Sequence, residues 1–160
     1  MAKNHAITIL RNPVAGQRKN AYVDAVIFEL KKRGAVVTCL ETAFAGHAEQ
    51  LAASLAKEGE ASLVVAAGGD GTIREGASGL YGSKMPLGLI PCGTASVLAR
   101  ELGYPKAGKK NAVKVADILL GTYAQTLYPF EVVSAGTKRF GLCWLGLGYD
   151  AQVLAQVQPK

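Results

Sequence analysis

The chain has 160 residues, of which 49% are hydrophobic and 19% are charged, and its formal net charge is +6. This composition is typical of a globular protein with one sizeable core and argues against intrinsic disorder. No apolar run reaches the roughly 18 residues of a membrane span. The first ten residues hold too short an apolar run for a signal peptide, so we expect a cytoplasmic location.

The three cysteines, Cys39, Cys92 and Cys143, are widely spaced in the sequence. Their spacing favours neither a zinc site nor a disulfide framework, and we expect them to be small buried residues.

Short β-branched runs alternate with helical patterns along the first 120 residues. Strands are predicted at 6–10, 35–40, 62–67 and 86–90, and helices at 20–33, 47–58, 94–102 and 111–120. The third strand is apolar on both faces, as in a sheet that is covered on both sides. The pattern predicts an α/β fold with an open, mostly parallel wound sheet and helices on both faces. Loops after the strands then meet at the carboxyl edge, where such folds bind ligands.

The pattern changes after residue 122. Two β-rich runs, 125–133 and 138–147, flank Ser134-Ala135-Gly136-Thr137, which is a hairpin signal. An isolated hairpin is marginal in water. We therefore expect a nucleotide-binding domain at 1–122 and, at 123–160, the first strands of a truncated β-rich domain. Pairing with another copy of the chain is a second way to complete the hairpin.

The loop after the third predicted strand reads Gly68-Gly69-Asp70-Gly71-Thr72. Glycines let the main chain approach a phosphate closely, and successive N–H groups form an anion-binding nest. Thr72 is expected to cap the following helix and to offer its hydroxyl to a phosphate. Asp70 would repel phosphate, so its carboxylate favours binding Mg²⁺ or accepting a proton from an attacking hydroxyl. The alternative is a tight turn in which Asp70 forms an Asx turn.

Two further glycine-bearing loops follow predicted strands. Asn12-Pro13-Val14-Ala15-Gly16 comes after the first, and Pro91-Cys92-Gly93-Thr94 comes after the fourth, with a helix expected to start at Thr94. Three such loops at one edge predict a nucleoside triphosphate site. The P-loop pattern GxxxxGK[ST] is absent. A dinucleotide-binding motif at Gly146-Leu-Gly148-Tyr-Asp-Ala151 is disfavoured because it lacks the later strand and acid that such a site needs.

These motifs, in the order in which they occur, resemble those of the diacylglycerol kinase catalytic-domain family. The resemblance also includes Thr42, Gly46-His47-Ala48, Glu75 and the Pro91-x-Gly93-Thr94-Ala95 loop. That family includes bacterial lipid kinases and sphingosine kinases and is distantly similar to NAD kinases. The resemblance covers roughly residues 7–153 and implies that Asp70 organises Mg²⁺-ATP and the acceptor hydroxyl. It implies a lipid cleft between this domain and a β-sandwich that follows. The implied ATP site contains Asn12, Pro13, Val14, Ala15, Gly16, Thr42, Gly68, Gly69, Asp70, Gly71, Thr72, Glu75, Gly93 and Thr94.

The sequence departs from the family pattern at three places. Arg74 stands where many members carry Asn. Ser96-Val97 replaces a common Asn-Asp, so a carboxylate often found there is missing. Most of the β-sandwich has no counterpart here, and with it an acidic residue thought to act as the general base.

The expected function is transfer of the ATP γ-phosphoryl group to a hydroxyl of a diacylglycerol-like or sphingoid lipid, in phospholipid metabolism. The alternatives are an NAD kinase-like enzyme with a soluble acceptor and a nucleotide-binding module without catalysis.

A cluster of basic side chains is expected to contact the anionic inner face of the membrane, or else to form an ordinary solvated helix face. Aromatic residues are not interleaved with these cations, which disfavours nucleic acid. The cluster consists of Arg100, Lys106, Lys109, Lys110 and Lys114.

Overall fold

The computed structural model describes residues 5–14, 19–143, 145 and 148–156. It divides the chain into two units, residues 1–126 and 127–160. The first unit alternates strands and helices in the predicted order. Its elements are β1 (Ala6–Arg11), α1 (Asn20–Lys32), β2 (Val36–Glu41), α2 (His47–Glu58), β3 (Leu63–Gly68), α3 (Asp70–Leu80), β4 (Leu87–Pro91), α4 (Val97–Glu101) and α5 (Ala112–Leu120), which a 3₁₀ turn at Lys109–Asn111 precedes.

The four strands form one parallel sheet in the order β2-β1-β3-β4. The register pairs Arg11 with Glu41 on one side of β1 and with Ala67 on the other. The chain leaves β1 toward β2 and later returns to β3 on its other side. The gap between β1 and β3 is therefore the topological switch point, where open α/β sheets bind ligands.

Strand residues alternate between two cores because successive side chains point to opposite faces of the sheet. Ile7 and Ile9 of β1 pack with one core, in which α1 and α5 meet through Leu30 and Val115. Leu10 packs with the other core, to which α2 and α3 contribute Ala52 and Leu80. Helices thus cover both faces, as the apolar pattern of the third strand predicts. The α/β fold class is confirmed.

The second unit contains an antiparallel hairpin and a helix. β5 (Phe130–Ser134) pairs with β6 (Thr137–Gly141), and α6 spans Tyr149–Gln156. Ala135 and Gly136 both have positive φ, 47° and 76°, as a tight hairpin turn requires. The predicted hairpin is confirmed, but its strands are shorter than the predicted runs at 125–133 and 138–147. The division at residue 126 lies close to the predicted boundary at 122, and a further β-rich domain stays a prediction.

Several local predictions were wrong. The helix expected from Thr94 begins at Val97, because Ser96 before it has a left-handed backbone conformation with φ 46°. The helix after β3 begins at Asp70 with Gly69 as its N-cap, so Thr72 lies inside the first turn and does not cap it. Of the cysteines only Cys92 is buried; Cys39 is exposed on the edge strand β2, and Cys143 is exposed in the second unit. No helix in the described parts of the chain is long and apolar enough to cross a bilayer.

Candidate functional site

Hydrogen bonds between main-chain atoms continue the sheet ladder one step beyond the strand ends. We call the residues that directly follow the four strands the strand-end rim. Each donor lies in the rim and each acceptor in a neighbouring strand. The bonds run from Thr42 N to Arg11 O (2.8 Å), from Asn12 N to Ala67 O (3.0 Å) and from Cys92 N to Gly68 O (2.8 Å). The rim therefore holds the four loops side by side in the order of the strands.

Asn12 links two loops across the switch point. Its Nδ2 donates to Thr72 Oγ1 at 3.1 Å, and its Oδ1 accepts from Val14 N at 3.0 Å. The first bond joins the loop after β1 to the first turn of α3. Because the Thr72 hydroxyl accepts from Asn12, its own proton remains available for donation. Val14 is exposed and Pro13 is half-buried, while Ala15 and Gly16 lie outside the described residues.

The glycines of the β3 and β4 loops allow two stretches of main chain to touch. A Cβ atom built on Gly93 would lie 2.9 Å from Gly69 Cα, and one on Gly68 would lie 2.5 Å from Thr72 Cβ. Real side chains do not tolerate such distances. The glycines are therefore needed for close approach, and no side chain caps the N-terminus of α3 at Gly69. The first N–H groups of a helix have no intrahelical acceptor and attract anions.

Asp70 is the first residue of α3, and its Oδ1 is buried without a hydrogen-bond partner in the part of the chain that the structure describes. A buried carboxylate oxygen without a partner is unfavourable, so the arrangement fits a cation or a proton donor supplied from outside. Within the same described ranges, no group of three or more His, Cys, Asp or Glu side chains is placed to hold a metal. One carboxylate suits Mg²⁺, which keeps waters and phosphate oxygens as its other ligands.

Lys19 is a site residue that the sequence reasoning missed. Its Nζ donates to Gly93 O at 2.8 Å, and Ser96 Oγ donates to the same carbonyl at 3.1 Å. The lysine thus joins the start of α1 to the loop after β4 and brings a positive charge to the rim. A cation directly before a helix opposes the helix dipole. That unfavourable position is the sequence signal that marks Lys19 for another role.

Two other ionisable groups near the rim stay protonated at neutral pH. Burial raises the pKa of the Cys92 thiol to about 11, although Lys19 and Arg11 act in the opposite direction. The Tyr22 hydroxyl is buried close to Cys92 and Tyr104, and burial raises its pKa as well. A raised pKa keeps a thiol or phenol neutral. Neither group supplies a base or a nucleophile at neutral pH.

The other predicted site residues lie at different depths. Thr42 is buried beside Asn12 in the rim, Glu75 is half-buried in α3, and Thr94 is exposed in the loop after β4. Gly71 is exposed in the first turn of α3. The residues that the structure brings into direct contact are Asn12 with Thr72, Gly68 with Thr72, and Gly69 with Gly93.

Residues 6–127 match the family model of the diacylglycerol kinase catalytic domain. The chain belongs to this family. It is similar to a diacylglycerol kinase of Mycobacterium tuberculosis, with 36% identity over 124 residues that cover 76% of this chain and 38% of that protein. It is also similar to a probable lipid kinase of Pseudomonas putida, with 37% identity over 87% of this chain and 44% of that protein. The chain therefore spans less than half the length of these relatives.

A solved structure shows the same fold. The crystal structure of a diacylglycerol kinase from Bacillus anthracis matches 86% of this chain and 49% of its own chain, with a TM-score of 0.65 and 24% identity. At that identity the likeness concerns the fold alone. The strand-end rim lies at the carboxyl edge of the parallel sheet, which is the edge where open α/β folds in general bind ligands.

Gly93→Ala tests whether the contact between the β3 and β4 loops matters for this kinase domain. The new Cβ would lie 2.9 Å from Gly69 Cα, so the two loops would have to move apart. We expect about tenfold weaker ATP binding in isothermal titration calorimetry, because small displacements of positioning groups are costly. Gly108→Ala is the control, since a Cβ at Gly108 meets open space. Equal ATP affinity of Gly93→Ala and wild type would contradict the prediction.

Proposed function

We propose that this chain is the ATP-binding part of a lipid kinase that transfers the γ-phosphoryl group of ATP to a hydroxyl of a diacylglycerol-like or sphingoid lipid. The observation that carries the proposal is the buried Asp70 Oδ1, which has no partner among the described residues and lies at the N-terminus of α3 beside the Gly69–Gly93 contact. The names of the relatives support the acceptor class, since they include diacylglycerol kinase and acylglycerol kinase.

The main chain is proposed to bind the phosphates. The N–H groups at the start of α3, which no side chain caps, suit phosphate oxygens because they are fixed donors at the positive end of a helix dipole. Thr72 adds a hydroxyl whose orientation the Asn12 side chain fixes. The Lys19 ammonium lies close by and offsets phosphate charge. Phosphoryl transfer depends mainly on such positioning and charge stabilisation.

Asp70 is proposed to hold the cation and to orient the acceptor hydroxyl. When bound, Mg²⁺ would neutralise charge that develops on the phosphate oxygens. The carboxylate of Asp70 also accepts a hydrogen bond from a hydroxyl placed at its buried oxygen. Ser96 takes a structural part here, because its hydroxyl donates to the Gly93 carbonyl. Ser96-Val97 stands in place of the family's Asn-Asp and offers no carboxylate, so Asp70 would hold the cation without help from this pair.

Asp70→Asn tests whether the carboxylate binds the metal or has only a structural role at the start of α3. The amide keeps the size of the side chain but loses the charge that binds Mg²⁺. We expect the variant to bind ATP without Mg²⁺ about as well as wild type and to lose most of the increase in affinity that Mg²⁺ gives. Both are measured by calorimetry with and without the ion. In the complete kinase, turnover should fall on the order of 10²-fold or more. An unchanged Mg²⁺ effect would mean that the Asp70 carboxylate has only a structural role at the start of α3.

The acceptor is identified with labelled ATP offered together with diacylglycerol, a sphingoid base and NAD. Labelled lipid supports the proposal, and labelled NAD would replace it with an NAD kinase-like function. Binding of ATP without transfer by the complete protein would favour a non-catalytic nucleotide-binding module. Asp70→Asn is the matched control, because background phosphorylation does not depend on that carboxylate.

The basic segment, Lys106–Lys114, is proposed to contact anionic lipid. Lys106, Lys109, Lys110 and Lys114 are all exposed, together with Val113 of α5. Asn111 holds the turn in shape by donating from its Nδ2 to Lys106 O at 2.8 Å. Each cation placed near an anionic membrane surface contributes about 1 kcal/mol to binding.

Charge reversal at Lys109 and Lys110 tests the membrane contact. Lys109→Glu with Lys110→Glu should weaken sedimentation with phosphatidylglycerol vesicles by at least about tenfold. Lys31→Glu with Lys32→Glu changes the net charge equally at the last turn of α1, and we expect little effect from it. Equal loss in both double variants would indicate that only net charge matters. Unchanged binding of the first variant would leave the segment as a solvated helix face.

A further inference from the structure

An aromatic pair lies in the loop between β2 and α2. The rings of Phe44 and His47 are stacked, with centroids 4.6 Å apart and planes inclined by 15°. Phe44 is 56% exposed, although the stacked imidazole of His47 covers one face of its ring. The other face is therefore open to solvent, directly after Thr42 of the rim. We propose that this pair is the platform on which the base of a purine nucleotide stacks, an inference that rests on the proposed ATP-binding function.

The platform is fixed before any ligand binds. His47 Nδ1 accepts a hydrogen bond from Ala43 N at 3.0 Å, which sets the orientation of the imidazole. In the neutral ring the proton is then on Nε2. The His47 ring packs against one face of the Phe44 ring, and His47 is the first residue of α2. A preorganised aromatic surface loses little entropy when a planar ligand stacks on it.

The strand order places the platform at a suitable distance from the phosphate loops. β2 lies at one end of the sheet, and β3 is two strands away, which is about 10 Å. A ribose and the inner phosphates span that distance, so phosphates at Gly69 leave the base near Phe44. At the opposite end of the rim, the segment Pro91–Ser96 contains no aromatic residue. The rim therefore offers a stacking surface for the base on the β2 side.

The chemistry of the platform favours purines over pyrimidines. Stacking on an aromatic side chain is available to every base, and it strengthens with the area of the π-face. Purines have two fused rings and cover more of Phe44 than a pyrimidine does. The Nε2–H of His47 is the one polar group that this aromatic pair offers to a base. A single donor discriminates weakly between adenine and guanine. We therefore assign purine selectivity to the pair and no choice between ATP and GTP.

The test compares ATP, CTP and inorganic tripolyphosphate in calorimetric titrations of the 160-residue chain. Phe44→Leu should weaken ATP binding about tenfold and reduce the preference for ATP over CTP, while tripolyphosphate binding stays unchanged. The matched control is Phe28→Leu, which removes another exposed phenylalanine, 64% accessible, from the outer face of α1. Both positions are exposed, so neither substitution removes core packing.

Four results would overturn the inference. Phe44→Leu could bind ATP as tightly as wild type, which would show that the base lies elsewhere. Equal losses for ATP and tripolyphosphate would mean that the substitution disturbs the whole loop. If the wild-type chain binds tripolyphosphate and ATP with equal affinity, the base contributes nothing, yet phosphate binding at the rim still stands. Failure to bind either ligand would overturn the proposed function and the platform together.

Discussion

The site depends on main-chain hydrogen bonds that extend the parallel ladder past the ends of the strands. Thr42, Asn12 and Cys92 each donate one such bond to a neighbouring strand. No side chain takes part in these bonds, so the register of the sheet sets the spacing of the strand ends from which the four loops start. The loops are then free to carry different chemistry: an amide at Asn12, a carboxylate at Asp70 and an aromatic ring at Phe44. This division between a fixed frame and variable loops is general for α/β folds.

The charged groups at the rim suit the ligand proposed for this site. Asp70 has a buried oxygen without a partner among the residues described, and such a group costs about 1–3 kcal/mol. Lys19 is held by the Gly93 carbonyl and so does not neutralise Asp70 through a direct ion pair. Separate anionic and cationic groups suit a ligand that combines phosphates with a divalent cation. A buried polar group that lowers the stability of the fold is typical of functional sites.

The order of strands and helices could be predicted because hydrophobic periodicity and glycine stops are local signals. The predicted α2, 47–58, matches its observed bounds, His47–Glu58, where Gly46 and Gly59 flank the helix with positive φ. Helix starts at the site could not be predicted, because tertiary contacts set them. Thr72 is an excellent N-cap by propensity, yet its hydroxyl accepts from Asn12, sixty positions away. Lys19 and the Phe44–His47 pair escaped notice for the same reason, since their partners are defined only once the chain is folded.

The most direct measurement is a crystal structure of the chain with Mg²⁺ and a non-hydrolysable ATP analogue. Three features should appear together: phosphate oxygens within hydrogen-bond distance of the N–H groups of residues 70–72, the ion coordinated by the Asp70 carboxylate, and the strand ends unmoved. A nucleotide bound away from the strand-end rim, or an ion that Asp70 does not contact, would contradict the account.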